Sequence, residues 1–218
     1  MSQRIYCISG LGADEKVFSQ LTLPGCELVV LPWLMPQKNE SIQQYARRMA
    51  VSIQEERPVL LGVSYGGMVA IEISKLLELE KLILVSSVTT KYALPWWMRA
   101  TGKLGLHKLL QPRPHPLFYP IENYFLGTVS KTEKRMANQF RKKVDGRFVQ
   151  WAINEIVTWN NVTKPSNYLQ IHGTNDKLFP VSKSEAAYIV KGGGHFMVYN
   201  RAAEISAIIL NELRLQEQ

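Results

Sequence analysis

Cysteine, aspartate and histidine are all scarce in this 218-residue chain, at two, three and four copies. Two cysteines make no disulfide framework, and the spacing of Cys7 and Cys26 suits no metal site. Each lies in or beside an apolar, strand-like run, where a free thiol behaves as a small buried hydrophobe. Long hydrophobic runs are missing as well: none approaches the roughly 20 residues that span a bilayer. The N-terminus lacks the charged, apolar and cleavage regions of a secretory signal, with Met1-Ser-Gln-Arg4 running straight into the strand-like Ile5-Tyr-Cys-Ile8. The expectation is a cytoplasmic protein with no membrane partner. Internal repeats and low-complexity tracts are absent too. With 46% of residues apolar and 20% charged, the composition is that of a globular domain rather than a disordered chain.

Negative charge is scarce in one place. Residues 91–147 hold twelve Lys or Arg against three Asp or Glu, whereas the rest of the chain holds fourteen against fifteen. The net charge of +8 therefore belongs to one segment, and it raises the question of an anionic partner.

What is present is an alternation of short apolar runs with amphipathic stretches, the pattern of a parallel sheet wrapped by helices. The runs are Ile5–Ser9, Leu28–Leu31, Pro58–Val63, Lys81–Ser86, Tyr168–His172 and Ala187–Val190. Several are almost continuously apolar, as strands covered on both faces are. Between them, Asp14–Leu21, Ser41–Glu56, Tyr65–Leu79 and Arg201–Leu215 read as helices; Ile42, Tyr45, Ala46, Met49 and Ile53 recur at helical spacing. The fold expected is α/β, a doubly wound, mostly parallel sheet of about six strands. After Ser87 the apolar runs stop. Ser130-Lys-Thr-Glu133 is a capping box opening a helix through Arg141–Val144, Phe148–Trp159 is a second amphipathic helix, and Gln111–Pro120 is a Pro-rich connector. Residues 1–87 and 165–218 are expected to form the core, with 88–164 a helical cap inserted between core strands. The alternative is a separate small domain, against which the flanking strands argue by completing each other.

Gly62-Val-Ser-Tyr-Gly66 matches G-x-S-x-G, a pattern weak alone but set here between the strand Pro58–Val63 and the helix opening at Gly66. That strand–turn–helix setting is what a nucleophile elbow needs. Glycines at 62, 66 and 67 allow the strained turn, and the following helix directs its positive end at the serine. The competing reading is a glycine-rich turn with an incidental serine. A serine hydroxyl needs a base held in one tautomer. His107 and His115 lie in the basic segment, with surface or pocket-lining roles expected, and His172 ends a strand before Gly173. His195 follows Gly192-Gly-Gly194 and precedes the last helix, which makes it the candidate base. Of the aspartates, Asp14 reads as a helix N-cap and Asp145 as a turn residue before Gly146. Asp176, in the loop Gly173–Pro180 after a late strand, is left to orient the imidazole, although a further turn aspartate remains the alternative there. The order Ser64…Asp176…His195 differs from the two main serine-protease orders. Backbone donors for an oxyanion are expected at Tyr65 and Leu11. The loop Ser9-Gly-Leu-Gly-Ala13 lacks the third glycine of a dinucleotide fingerprint.

These residues resemble the α/β-hydrolase superfamily over essentially the whole chain, through Ser9-Gly-Leu-Gly12, Gly62-Val-Ser-Tyr-Gly66, His172-Gly-Thr-Asn-Asp176 with Pro180, and Gly193-Gly-His195. More narrowly the chain is similar to small capped esterases and acyl hydrolases, a group that includes pimeloyl-carrier methyl ester esterases and plant methylesterase and hydroxynitrile lyase relatives. The resemblance implies a helical cap between the sixth and seventh family strands, a covalent acyl-enzyme hydrolysed by water, and no metal or organic cofactor. Two departures stand out: Ser9 replaces the histidine usual before the first-loop glycine, and the chain begins at what would be the family's third strand.

The activity expected is hydrolysis of a small-molecule carboxylic ester. Trp96, Trp97, Phe118, Tyr119, Tyr124, Phe125 and Trp151 are candidate pocket lining, or else the cap's own core. Lys131, Lys134, Arg135, Arg141, Lys142, Lys143 and Arg147 cluster around one helix. They suggest an anionic carrier, such as acyl carrier protein or coenzyme A bearing a thioester or methyl ester, or else a solvated basic face. A non-hydrolytic binding protein on the same fold, a lyase and a perhydrolase stay open as alternatives. Nucleic-acid binding by the basic segment is not expected without a salt-dependent shift.

Overall fold

The computed structural model describes residues 2–108, 116–181, 186 and 188–214. Six strands, β1 (Gln3–Ile8), β2 (Cys26–Val30), β3 (Val59–Val63), β4 (Lys81–Val85), β5 (Tyr168–Gly173) and β6 (Tyr188–Val190), form one sheet in the order β2-β1-β3-β4-β5-β6. Every pairing is parallel. Parallel strands need crossovers, which place helices over both faces.

That double cover explains the continuous apolar runs. Side chains alternate across the sheet, so Tyr6, Ile8, Leu60, Leu82 and Leu84 join one buried cluster, and Ile5, Cys7, Leu61, Ile83 and Val85 the other. The first cluster is covered by α1 (Ile42–Ala50) and α2 (Tyr65–Ser74), with Tyr45, Met49, Met68 and Ile71 buried against the strands. The second is covered by α7 (Ala202–Arg214) through Ile205, Ile209 and Leu213.

Three expected helices are shorter: Tyr65–Leu79 gives α2, which ends at Ser74. Asp14–Leu21 contains only a single 3-10 turn over Glu15–Phe18, whose first amides Asp14 caps. Ser41–Glu56 gives α1 alone. After Ala50 the chain tightens into i to i+3 bonds from Ser52 and Ile53, which still return Ile53 to the core edge. The capping box at Ser130 and Glu133 is formed and opens α5 (Lys131–Lys143).

Between β4 and β5 the chain forms α3 (Trp96–Lys103), α4 (Tyr119–Leu126), α5 and α6 (Gly146–Thr158). This helical segment is tied to the sheet layers at α6. Trp151 packs 4.5 Å from Tyr45, centroid to centroid, and its Nε1–H donates to the Glu40 carbonyl at 2.7 Å. Trp159 Nε1–H donates to the buried Glu72 carboxylate on α2 at 2.8 Å. His115 and the first half of the Gln111–Pro120 connector lie outside the described residues.

Topology places the site. From β1 the chain passes outward to β2, while β3 sits on the other side of β1 and leads away to β4. The loops leaving β1 and β3 therefore flank the point where strand order reverses, and a crevice opens there at the carboxyl ends.

Candidate active site

At the end of β3, Ser64 adopts φ 54° and ψ −121° before α2 begins. A non-glycine residue in this region costs of order 1–3 kcal/mol and persists only where its surroundings over-determine it. Here they do. Ser64 N–H donates to the Val85 carbonyl at 3.0 Å, and the Ser64 carbonyl accepts from Gly67 N–H at 3.0 Å and from the Ser87 hydroxyl at 2.7 Å. The turn also needs close backbone approach. A Cβ on Gly66 would stand 2.2 Å from the Ser9 carbonyl oxygen, so any larger residue would push the elbow off β1.

The three residues singled out above meet in space. His195 Nε2 lies 2.8 Å from Ser64 Oγ, and its Nδ1 lies 2.9 Å from Asp176 Oδ2. All three are buried. The other Asp176 oxygen, Oδ1, accepts from the Leu178 and Phe179 amides at 3.0 and 2.8 Å. Burial alone would push this carboxyl up. The His195 ring and the amide bond from Phe179 outweigh that and hold it below the ordinary carboxylate value. An ionised Asp176 with both oxygens committed fixes His195 with Nδ1–H toward it, leaving Nε2 free to accept the serine proton.

Leu11 and Tyr65 belong to the two segments that meet at Ser64. Tyr65 is the first residue of α2, where a helix leaves its amides unpaired. Leu11 sits on the β1 loop, which passes close over Ser64: a Cβ on Gly10 would lie 3.5 Å from the Ser64 Cβ. Ser9, the departure noted in this loop, braces it. Its hydroxyl donates to the Ala13 carbonyl at 2.7 Å and accepts from Trp33 Nε1–H at 2.9 Å. Trp33 in turn stacks on Tyr65 at 5.6 Å.

Ser64 and His195 open into a cavity of about 460 Å³ with mainly apolar walls. Of the proposed lining, Trp97 and Phe125 face it; Ile121, Leu126, Phe140 and Arg141 join them. The others do not. Trp96, next to Trp97 but turned by 100° on α3, is 73% exposed. Phe118 is exposed, and Tyr124 turns out to Lys177, whose Nζ lies 3.3 Å from its ring centroid. Trp151 holds α6 in place instead, and Tyr119 lies under the Arg141 guanidinium. His107, whose Nε2 lies 2.8 Å from Asn154 Oδ1, ties the 3-10 turn after α3 to α6. The basic cluster divides as well. Lys131, Lys134, Arg135 and Lys142 are exposed, Lys143 and Arg147 meet Asp14 and Asp145, and Arg141 turns inward.

Sequence reasoning missed Ser87, which falls where the apolar pattern ends. Its hydroxyl, fully buried, clamps the Ser64 carbonyl, and its own carbonyl accepts from Gln170 Nε2–H at 2.8 Å. Ser87→Ala removes one of the three bonds holding the strained turn. Turnover is expected to fall about tenfold with KM little changed, since a hydrogen bond of about 1–1.5 kcal/mol is lost near the reacting atom. Steady-state kinetics on a chromogenic ester check this.

His172 is fully buried behind Asp176, its Nε2–H donating to the Phe179 carbonyl at 2.6 Å while Nδ1 has no hydrogen-bond partner among the described residues. Burial lowers its pKa, against the opposing pull of the Phe179 carbonyl and Asp176. The folded state thus resists a proton that the unfolded chain takes near pH 6.5, so stability falls as pH drops below about 6.5. The Asp176 contribution, with its folded pKa lowered, is present above about pH 3.9 and lost below it. Melting temperatures between pH 8 and 4 are expected to decline from about pH 6.5, and His172→Gln to flatten that decline. An equal slope in the variant would assign it to other groups.

Comparison with known proteins agrees with this architecture. A model of the alpha/beta hydrolase family matches residues 9–208. No curated protein sequence gives a significant match. Among solved structures, an esterase from Exiguobacterium antarcticum superposes with a TM-score of 0.74 at 13% identity, over 97% of this chain and 92% of that one. A putative lipase from Acinetobacter baumannii gives 0.72 at 16% identity, over 99% and 85%. A thermophilic esterase from Thermogutta terrifontis gives 0.65 at 15% identity, over 99% and 91%. At such identities the likeness speaks for the fold, and the family match covers nearly the whole length. The chain belongs to the α/β hydrolase family.

Proposed function

We propose that this protein hydrolyses carboxylic esters of small molecules through a Ser64–His195–Asp176 triad and an acyl-enzyme. One observation carries the reading: His195 bridges Ser64 Oγ and Asp176 Oδ2 at 2.8 and 2.9 Å through its two ring nitrogens. Ser64 Oγ attacks the ester carbonyl as His195 Nε2 takes its proton. The oxyanion that develops is met by the Tyr65 and Leu11 amides, aided by the positive end of α2. His195 then returns the proton to the leaving alcohol, and a water repeats the sequence to release the acid. Asp176 keeps its charge throughout and stabilises the imidazolium. The helical segment at 88–164 serves as a cap, since Trp97, Ile121 and Phe125 wall the cavity that receives the substrate. Neighbours described as esterases and a putative lipase are in keeping with this activity.

The test is a screen of p-nitrophenyl esters of increasing acyl length, with fluorophosphonate labelling of Ser64 as an independent report. Hydrolysis together with labelling is expected. Absence of both would sink the reading.

A further inference from the structure

Among the described residues, five buried side-chain atoms lack a hydrogen-bond partner, and one of them, Arg141 Nη2, belongs to a residue that lines the catalytic cavity. The rest of this guanidinium is fully engaged. Nε–H meets Glu122 Oε2 at 2.5 Å, Nη1 donates to Asn138 Oδ1 at 2.6 Å and Asn123 Oδ1 at 3.0 Å, and the Tyr119 ring lies 5.1 Å from its central carbon. Four residues on α4 and α5 thus fix the side chain, while one end of its fork is left unsatisfied. An orphaned donor on a charged group is costly to bury and calls for an explanation.

We infer that Arg141 Nη2 is a binding subsite for a neutral oxygen acceptor on the substrate, so that the favoured esters carry a second carbonyl remote from the bond that is cut. This rests on the esterase reading above and narrows its substrate class. The second group is a carbonyl rather than a carboxylate because Glu122, which lines the same cavity, already balances the Arg141 charge. A further carboxylate in an apolar chamber would be buried without a counter-charge, whereas a ketone, amide or ester carbonyl is cheaper to desolvate and needs one donor. Nη2 is covered in the structure. Arg141 itself stays in place, and a ligand oxygen reaches it when neighbouring cavity side chains change rotamer, as side chains at binding surfaces commonly do.

The test compares p-nitrophenyl alkanoates with oxo-alkanoates of the same length, the ketone being moved one carbon at a time. At one position the oxo ester should exceed the alkanoate in kcat/KM by about ten- to a hundredfold, the worth of a hydrogen bond to a charged donor. Arg141→Met should bring that ratio to about one. Wild-type protein that hydrolyses esters and takes the fluorophosphonate label, yet shows no preference at any position, overturns the inference alone. Failure of both hydrolysis and labelling overturns the esterase reading instead. A preference that survives in Arg141→Met also overturns the inference. If Arg141→Met does not fold, Glu122→Gln decides. It keeps Arg141 and removes the balancing charge, so mono-p-nitrophenyl esters of dicarboxylic acids should gain at least about tenfold over alkanoates relative to wild type. No gain there counts against the subsite.

Discussion

Ser64→Ala is expected to lower kcat on a p-nitrophenyl ester by about 10⁴- to 10⁶-fold, the range that follows when a nucleophile acting as one unit with its base is removed. The residual rate comes from substrate binding and the oxyanion donors, which the substitution leaves in place. Stability should barely change. Alanine meets the same backbone strain at φ 54°, and the bonds that hold the turn are made by the Ser64 amide and carbonyl. The lost contact is Oγ to His195, whose ring stays pinned by Asp176 and by Phe179 edge-on at 5.4 Å. Fluorophosphonate labelling should vanish while the melting temperature moves by a few degrees at most, about what one hydrogen bond is worth. Substantial activity in the variant would refute Ser64 as nucleophile.

The second large effect is at Asp176. Asp176→Asn is close in shape, yet kcat is expected to fall by about 10⁴. The Leu178 and Phe179 amides both donate to Oδ1, so the asparagine must turn its carbonyl oxygen toward them. Its amide nitrogen then faces His195 Nδ1, which has to become an acceptor. The proton moves to Nε2, opposite Ser64, and the base is held in the wrong tautomer. Asp176→Ala makes a useful contrast. It also loses the acceptor for one buried and one partly buried amide, at about 1–3 kcal/mol for a buried group left unsatisfied, so it should lose stability as well as rate. Thermal melts beside kcat for the two variants separate orientation from folding. Equal melting temperatures for both would contradict the assigned role of Oδ1.

Much of this molecule is legible in its order of residues because the physics is local or periodic. Strands buried on both faces demand continuous apolar runs, so the inner strands β1, β3, β4 and β5 stand out in the sequence, and the partly exposed edges β2 and β6 show as short apolar runs. The capping box at Ser130 and Glu133 satisfies amides of its own first turn, and needs no distant partner to be read. Ser64 stands in a strand–turn–helix whose glycines declare the strain, while Asp176 and His195 stand out because few residues of their kinds compete.

What tertiary structure alone decided is which side chains meet across the cavity and which turn away. Trp96 and Trp97 are adjacent in composition and pattern, yet α3 packs so that one faces the chamber and the other solvent. Ser87 clamps the Ser64 carbonyl from another strand's end, and a serine after an apolar run announces nothing. Arg141 looks like its basic neighbours on α5 until α4 brings Glu122 and Asn123 against it. Such contacts depend on crossing angles and helix rotation, which arise from the packing of distant segments. Helical period and turn chemistry do not encode them. The chemistry of the site therefore lies on the surface of the sequence, and the selectivity of the cavity lies in how its walls close.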